Sequence, residues 1–282
     1  MLNHTSSIQL IRKDNQICGV ENSVYPDNVP FVKMIGGQHF EDMVGMIVRP
    51  LTFTDFAAAM FLADAFRWRG HKLKKLIIPF IPGSRQDRMN PVGDFLFTAK
   101  SVANMINERE FEVVYTLDPH SDVSSGLINN CVVRSAAFVV NQIRFSMHHK
   151  YDVVVAPDAG AEKRAANVAR CLNLPLCRAW KNRDLQTGNI TGFGFGELPN
   201  KEKIRALIVD DICDGGGTFV GLAQILKEKV SSLDLFVTHG IFSKGTKELK
   251  KYFNKIYTTD SVPRLQPNGV TILDILQEMV QF

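Results

Sequence analysis

Long apolar runs are missing from this sequence. No stretch is long enough to span a bilayer, and the polar opening MLNHTSSIQ is not a secretory leader. Cysteine is scarce and unpatterned. The five thiols (Cys18, Cys131, Cys171, Cys177 and Cys213) are an odd number without a CxxC pair. That argues against a disulfide scaffold or a zinc ribbon and points to reduced thiols in a cytoplasmic setting. No strong excess of one charge is present either: 33 basic against 29 acidic side chains leave a net charge of +4, with no block of basic residues. Anionic small molecules are compatible with that balance, whereas a nucleic-acid partner is not expected. A hydrophobic content of 45% over 282 residues is that of an ordinary globular chain, long enough for two modest domains or one large one.

The stretch that organises the rest is Lys203–Lys229, KIRALIVDDICDGGGTFVGLAQILKEK. Ile204–Val209 reads as a buried parallel strand. From Thr218 onward, Phe219, Leu222, Ile225 and Leu226 lie on one face of a helix. The turn between them, Asp210 to Thr218, joins a strand's carboxyl end to a helix's amino end. Unpartnered N–H groups and the positive end of the macrodipole favour an anion there. Gly215, Gly216 and Gly217 let the backbone close around a phosphate, and Thr218 adds a hydroxyl and a cap. The adjacent acids Asp210 and Asp211 repel each other unless a cation or a diol lies between them. A sugar phosphate meets both demands.

Elsewhere apolar strands alternate with helical patterns. Strands are expected at Val44–Arg49, Leu76–Pro79, Val113–Leu117, Val132–Arg134, Val153–Ala156, near Leu176 and at Leu235–Thr238. Helices are expected at Thr54–Arg69 (capped by Thr54), Thr98–Ile106, Ala137–Phe145, Glu162–Leu172 and Leu273–Val280. Pro82–Phe95 is polar, aperiodic and expected to be a mobile loop. Such alternation implies parallel sheets covered on both faces, with ligands gathering at the strands' carboxyl ends. Three further strand ends carry polar clusters: Ser84–Arg88 (SRQDR), Leu117–Asp122 (LDPHSD) and Ala156–Arg164 (APDAGAEKR). WKNRD (Trp180–Asp184) follows the strand near Leu176.

VDDICDGGGT resembles the phosphoribosyl-diphosphate loop shared by phosphoribosyltransferases and ribose-phosphate pyrophosphokinases. That resemblance implies that Asp210 and Asp211 hold ribose hydroxyls, while Asp214, Gly215, Gly216, Gly217 and Thr218 hold the 5-phosphate. The loop alone does not separate the two groups. SRQDR, LDPHSD, APDAGAEKR, THGIFS (Thr238–Ser243) and TAKSVANM (Thr98–Met105) are similar to segments of the pyrophosphokinases, in the same order, over roughly Pro26 to the end of the chain.

The implied fold is α/β, with two similar phosphoribosyltransferase-like domains, each a mainly parallel sheet flanked by helices. Residues 1–136 form an ATP-side domain and 137–269 a domain carrying the phosphoribosyl loop; a last helix at 270–282 packs back on the first. The implied reaction moves the β,γ-diphosphoryl group of ATP to the anomeric C1 hydroxyl of ribose 5-phosphate, or of a related compound such as ADP-ribose, releasing AMP. Alternatives are a phosphoribosyltransferase and a non-catalytic regulatory homologue. Arg85, Gln86, Asp87 and His120 would meet ATP, Asp158 and His120 would hold Mg²⁺, and Lys181, Arg183 and His120 would act on the transferring group. Lys163 and Arg164 read as structural or peripheral.

Two departures stand out. The family usually has Thr where Gly215 stands, so one hydroxyl contact is lost and space is left for a larger 5′ substituent. In Tyr25–Met34 (YPDNVPFVKM), which resembles a family segment that reaches a neighbouring subunit of a homo-oligomer, Asn28 and Val29 replace Gly and Glu.

Overall fold

The computed structural model describes residues 7–89, 96–147, 150–183, 190–263 and 268–281, without the side chains of 144–147, 183, 190 and 191. The chain divides into two units. The first comprises Met1–Arg134, Asp260–Leu265 and Asp274–Phe282, and the second Ser135–Thr259 and Gln266–Leu273. Each unit is built on one seven-stranded sheet.

The sheet of the first unit runs β3-β2-β1-β4-β5-β6-β7. Its strands are β1 (Ile8–Arg12), β2 (Ile17–Val24), β3 (Pro30–Met34), β4 (Met43–Val48), β5 (Lys75–Ile77), β6 (Val113–Leu117) and β7 (Cys131–Arg134). β4 to β7 are parallel, whereas β1, β2 and β3 add an antiparallel edge that the sequence reading did not anticipate. β1 is an apolar run, and Ile8, Leu10 and Ile11 are fully buried. The α-helices of this unit among the described residues before its last segment are α1 (Phe53–Trp68), α2 (Thr98–Asn107) and α3 (Asp122–Gly126). The cap of α1 is Thr52, not the expected Thr54. Its hydroxyl accepts from Asp55 N at 3.2 Å, and the Asp55 carboxylate accepts from Thr52 N at 2.9 Å, a reciprocal pair satisfying two donors at once.

In the second unit α4 (Ala136–Met147) precedes β8 (Val153–Ala156), α5 (Glu162–Leu172), β9 (Leu176–Arg183), β10 (Ile190–Phe195), β11 (Arg205–Cys213), α6 (Gly217–Leu226), β12 (Ser232–Gly240), β13 (Lys255–Thr259) and β14 (Thr271–Leu273). The order β10-β9-β8-β11-β12-β13-β14 is parallel except at β9–β10. α7 (Leu276–Val280) then lies in the first unit, a shorter helix than the expected Leu273–Val280 because Thr271–Leu273 pairs with β13.

The helices bury one stripe each. α5 buries Ala165, Val168, Ala169 and Leu172, and α6 buries Phe219, Leu222, Ala223 and Leu226, spacings of three and four that put every member on one side. Ile225 of the expected α6 face is only partly buried, and Ala223 takes its place. α6 is held close to β10 at Gly221, where any added side-chain carbon would overlap the Phe193 ring. That approach aims the amino end of α6 back at the carboxyl end of β11.

Candidate functional site

The two acids of the central stretch sit in a strand, not in a loop. β11 continues past Val209 to Cys213, because Asp210, Ile212 and Cys213 keep register with Val237, His239 and Gly240 of β12. One side chain reaches both carboxylates. Arg164 of α5 places Nη1 3.4 Å from Asp210 Oδ1 and 3.5 Å from Asp211 Oδ1. All three side chains are at least 86% buried, Asp210 being the most exposed at 14%. Asp211 N also donates to Asp210 Oδ1 at 2.8 Å. Burial, with the adjacent Asp211 adding to it, pushes the Asp210 carboxyl well above the usual carboxylate range, and Arg164 pulls the other way. One member of the pair is thereby suited to carry a proton and donate, the other to accept, which matches the two needs of a vicinal diol.

Arg164 is therefore at the centre of this cluster instead of its periphery. The signal was present in the sequence: Arg164 precedes Val168 by four residues and adjoins Ala165, so it lies beside the buried stripe of α5. An arginine placed there faces the strand that ends in two acids.

After Cys213 the chain turns through Asp214 and Gly215 into α6. The cap is Gly216 in the left-handed region (φ 78°), and no side chain caps the helix. Thr218 is thus the second helical residue and not the expected cap. Gly216 is required twice over, by its φ and by Leu249, whose Cδ2 would be 3.3 Å from an added Cβ. Gly217 has nothing within 4 Å of such a Cβ, so space is left beside the first turn of α6, whose leading N–H groups have no acceptor within the helix. Cys213 is buried and its thiol pushed up to about 12 by burial, so it is inert filler under the turn.

Asp158 and Lys181 meet. Asp158 follows β8 and caps the 3-10 turn Ala159–Ala161, its Oδ1 accepting from Ala161 N at 3.2 Å. Lys181 Nζ donates to Asp158 Oδ2 at 2.6 Å. Trp180–Arg183 lies within β9 and not after it, because β10 pairs with this stretch and extends it (Phe193 opposite Lys181, Gly194 opposite Trp180). Arg183 closes the same strand two residues beyond Lys181; its side chain lies outside the described residues.

On the first unit the other predicted residues gather at the carboxyl edge of β5 and β6. Leu117 N donates to Pro79 O at 3.1 Å, and Ser124 Oγ to Ser84 O at 3.2 Å, so the SRQD turn and the DPH turn are tied together. Gln86 accepts from the Thr98 hydroxyl, and its carbonyl accepts from Ala99 N at 3.1 Å, anchoring the start of α2. Asp87 pairs with Arg88 at 3.7 Å. Asp118 is buried and left-handed (φ 40°), a strained setting for a non-glycine residue that directs the following Pro119 and exposed His120 away from the strand. Of the loop expected over Pro82–Phe95, residues 90–95 lie outside the described residues; the described part is pinned through Gln86.

Among the described residues no group of three or more His, Cys, Asp and Glu gathers to hold a metal ion by itself. Mg²⁺ keeps waters and takes phosphate oxygens, needing only one or two carboxylates from the protein. Asp158, partly exposed and with lone pairs beyond its two hydrogen bonds, fits that smaller demand.

Comparison with known proteins decides the family. Residues 128–268, half of the chain, match the family model described as phosphoribosyl transferase domain. A curated ribose-phosphate pyrophosphokinase of Pyrococcus abyssi is 26% identical over 95% of this chain and 93% of its own length. The chain belongs to the ribose-phosphate pyrophosphokinase family. A family member from Thermococcus kodakarensis is 28% identical over 94% of this chain and 92% of its own length. The crystal structure of phosphoribosylpyrophosphate synthetase from Mycobacterium smegmatis superposes with a TM-score of 0.76 at 21% identity, covering 95% of this chain and 91% of that one, which confirms the α/β fold.

Proposed function

We propose that this protein transfers the β,γ-diphosphoryl group of ATP to the C1 hydroxyl of a 5-phosphorylated ribose, releasing AMP. The observation that carries the reading is the buried Asp210–Arg164–Asp211 cluster directly ahead of an open helix amino end. The acids would bind the sugar diol and the N–H groups of α6 the 5-phosphate. On the first unit, Arg85, Gln86, Asp87 and His120 would bind ATP. The relatives' matches extend over this unit as well, which supports a donor nucleotide beyond what a bare phosphoribosyltransferase needs.

Little covalent work falls to the protein in such a transfer; position and charge neutralisation do most of it. Lys181, paired with Asp158, is a mobile point charge that can swing onto the migrating diphosphoryl group, with Arg183 as its planar companion. Mg²⁺ held by Asp158, with His120 on the ATP side, would neutralise phosphate oxygens. Incubation with ATP, Mg²⁺ and a panel of 5-phosphorylated riboses tests the reading: AMP is expected, and ADP would overturn it.

The same reading makes the protein a homo-oligomer. α1 carries an outer stripe of Phe53, Phe61 and Trp68, exposed by 54%, 49% and 83%. The spacings are eight and seven residues, so a second copy laid antiparallel and crossing at Phe61 would set each Trp68 beside the Phe53 of the other copy. The β2–β3 hairpin adds exposed Val24, Tyr25 and Val29, with Asn28 left-handed (φ 65°), a conformation the family's glycine adopts freely. Sedimentation of Phe61→Glu beside the parent tests this; an unchanged mass would refute the α1 contact.

A further inference from the structure

We propose that Lys244 is the specificity-determining residue of the acceptor pocket, a cation laid over the loop at Gly215 that selects acceptors ending in a phosphate monoester. The inference rests on the reading of Asp210–Thr218 as the acceptor's phosphate cradle. Gly215 lies in an ordinary backbone region, and a Cβ built there would be 3.5 Å from both Cδ and Cε of Lys244 and 3.9 Å from Cγ. The space beside Gly215 is therefore not vacant. The aliphatic stem of Lys244 lies along it, and the ammonium extends past the stem at the rim.

That position is fixed by the fold. Cys213 O accepts from both Ile241 N and Phe242 N, each at 2.9 Å, which staples the chain after β12 to the phosphate loop. Phe242 takes a left-handed conformation (φ 45°) with its ring buried, and Gly245 N closes a turn onto Phe242 O at 2.8 Å. Lys244 is in that turn, directly before the left-handed Gly245 (φ 69°). Five residues on, Leu249 packs against Gly216. Ile241 to Leu249 thus forms one wall of the cradle, and Lys244 supplies its only cation within the turn Phe242–Gly245. Lys244 is exposed and forms no ion pair with any described residue.

A phosphate dianion seated on the N–H groups of α6 would have this ammonium as its counter-charge. It takes the place of the hydroxyl that a threonine at position 215 would contribute. A 5′ substituent continuing through a diphosphate would have to pass the Lys244 stem, so the residue both attracts the terminal monoester and obstructs longer acceptors.

Kinetics of Lys244→Ala, Lys244→Arg and the double variant Gly215→Thr/Lys244→Ala test this, with ribose 5-phosphate and ADP-ribose as acceptors. Calorimetric binding of ribose 5-phosphate to each protein provides a readout independent of turnover. Lys244→Ala is expected to raise KM and Kd for ribose 5-phosphate 10- to 100-fold, with the loss in KM and not in kcat and with KM for ATP unmoved. Lys244→Arg should keep most of the affinity, and Gly215→Thr in the alanine background should recover part of it. The ratio of kcat/KM for ADP-ribose over ribose 5-phosphate should rise at least tenfold in Lys244→Ala. A Kd for ribose 5-phosphate within twofold of the parent overturns the inference, whether or not AMP is formed. A parent that binds ribose 5-phosphate through Lys244 but forms no AMP leaves the inference standing and overturns the proposed reaction instead.

Discussion

Arg164 is the residue whose removal the structure makes most consequential. Its guanidinium is the counter-charge within 3.5 Å of both Asp210 and Asp211, and all three side chains are largely buried. Taking one partner from a buried ion pair costs about 3–5 kcal/mol, because the remaining charge keeps its desolvation penalty. Arg164→Met keeps the packing volume and leaves two acids side by side. Asp210 already sits well above the usual carboxylate range, so part of the cost is relieved by proton uptake, each unit of pKa shift representing about 1.4 kcal/mol. We expect a net loss of about 3 kcal/mol at pH 8, a fall in Tm of roughly 6–12 °C at about 2–4 °C per kcal/mol. A group whose pKa is raised on folding contributes stability at low pH that is lost as pH climbs through the folded value. The deficit of the variant should therefore be widest at pH 8 and shrink toward pH 5.5. Scanning calorimetry at both values checks this. A Tm within 1 °C of the parent at pH 8, or a deficit that grows on acidification, would refute the counter-ion role.

Three further outcomes are expected. Lys181→Ala and Arg183→Ala should each lower kcat by roughly 10²–10³ with acceptor binding little changed, since cations aimed at a migrating diphosphoryl group act mainly in the transition state; near-normal kcat in either variant removes that residue from the mechanism. Asp260, whose Oδ1 accepts from Ile275 N at 3.1 Å and which lies beside Asp274 and Arg49, is raised to about 7, chiefly by burial. Its folded-state proton is lost as pH rises through 7, so Tm of the parent should fall between pH 6 and 8 and that slope should flatten in Asp260→Asn; an unaltered slope contradicts the assignment. Gly216→Ala forces a left-handed alanine against Leu249 and should cost about 1–2 kcal/mol and weaken ribose 5-phosphate, whereas a variant as stable and as tight as the parent would mean the turn relaxes freely.

What was legible in the sequence was what local periodicity encodes. α2, α5 and α6 bury residues at three- and four-residue spacings, and their limits fall within a few residues of the expected ones. β8 and β11 are apolar runs that could hardly be anything else in an alternating chain. Less legible were features fixed by a partner strand. β9 and β11 continue through polar residues, Lys181 and Asp210 among them, because β10 and β12 pair with them there. The edge formed by β2 and β3 was not legible because β2 is half exposed without alternation and the residues of β3, PFVKM, do not alternate in polarity although their burial does. At the site, the chemistry-bearing acids and glycines announced themselves by composition. Arg164 and Lys244 were harder to read, since a single basic residue in a helix or a turn usually faces water: for Arg164 the one signal was its spacing from the buried stripe of α5, and for Lys244 only the packing of the Phe242–Gly245 turn against Cys213 gives it a place.

Phosphorus NMR of the purified protein with ATP, Mg²⁺ and ribose 5-phosphate tests the central claim most directly. The account predicts that the β and γ resonances of ATP disappear together and reappear as a diphosphate on C1 of the sugar, with one AMP formed for each. Appearance of ADP with a single phosphoryl group on the sugar, or no transfer to the sugar at all, would contradict it.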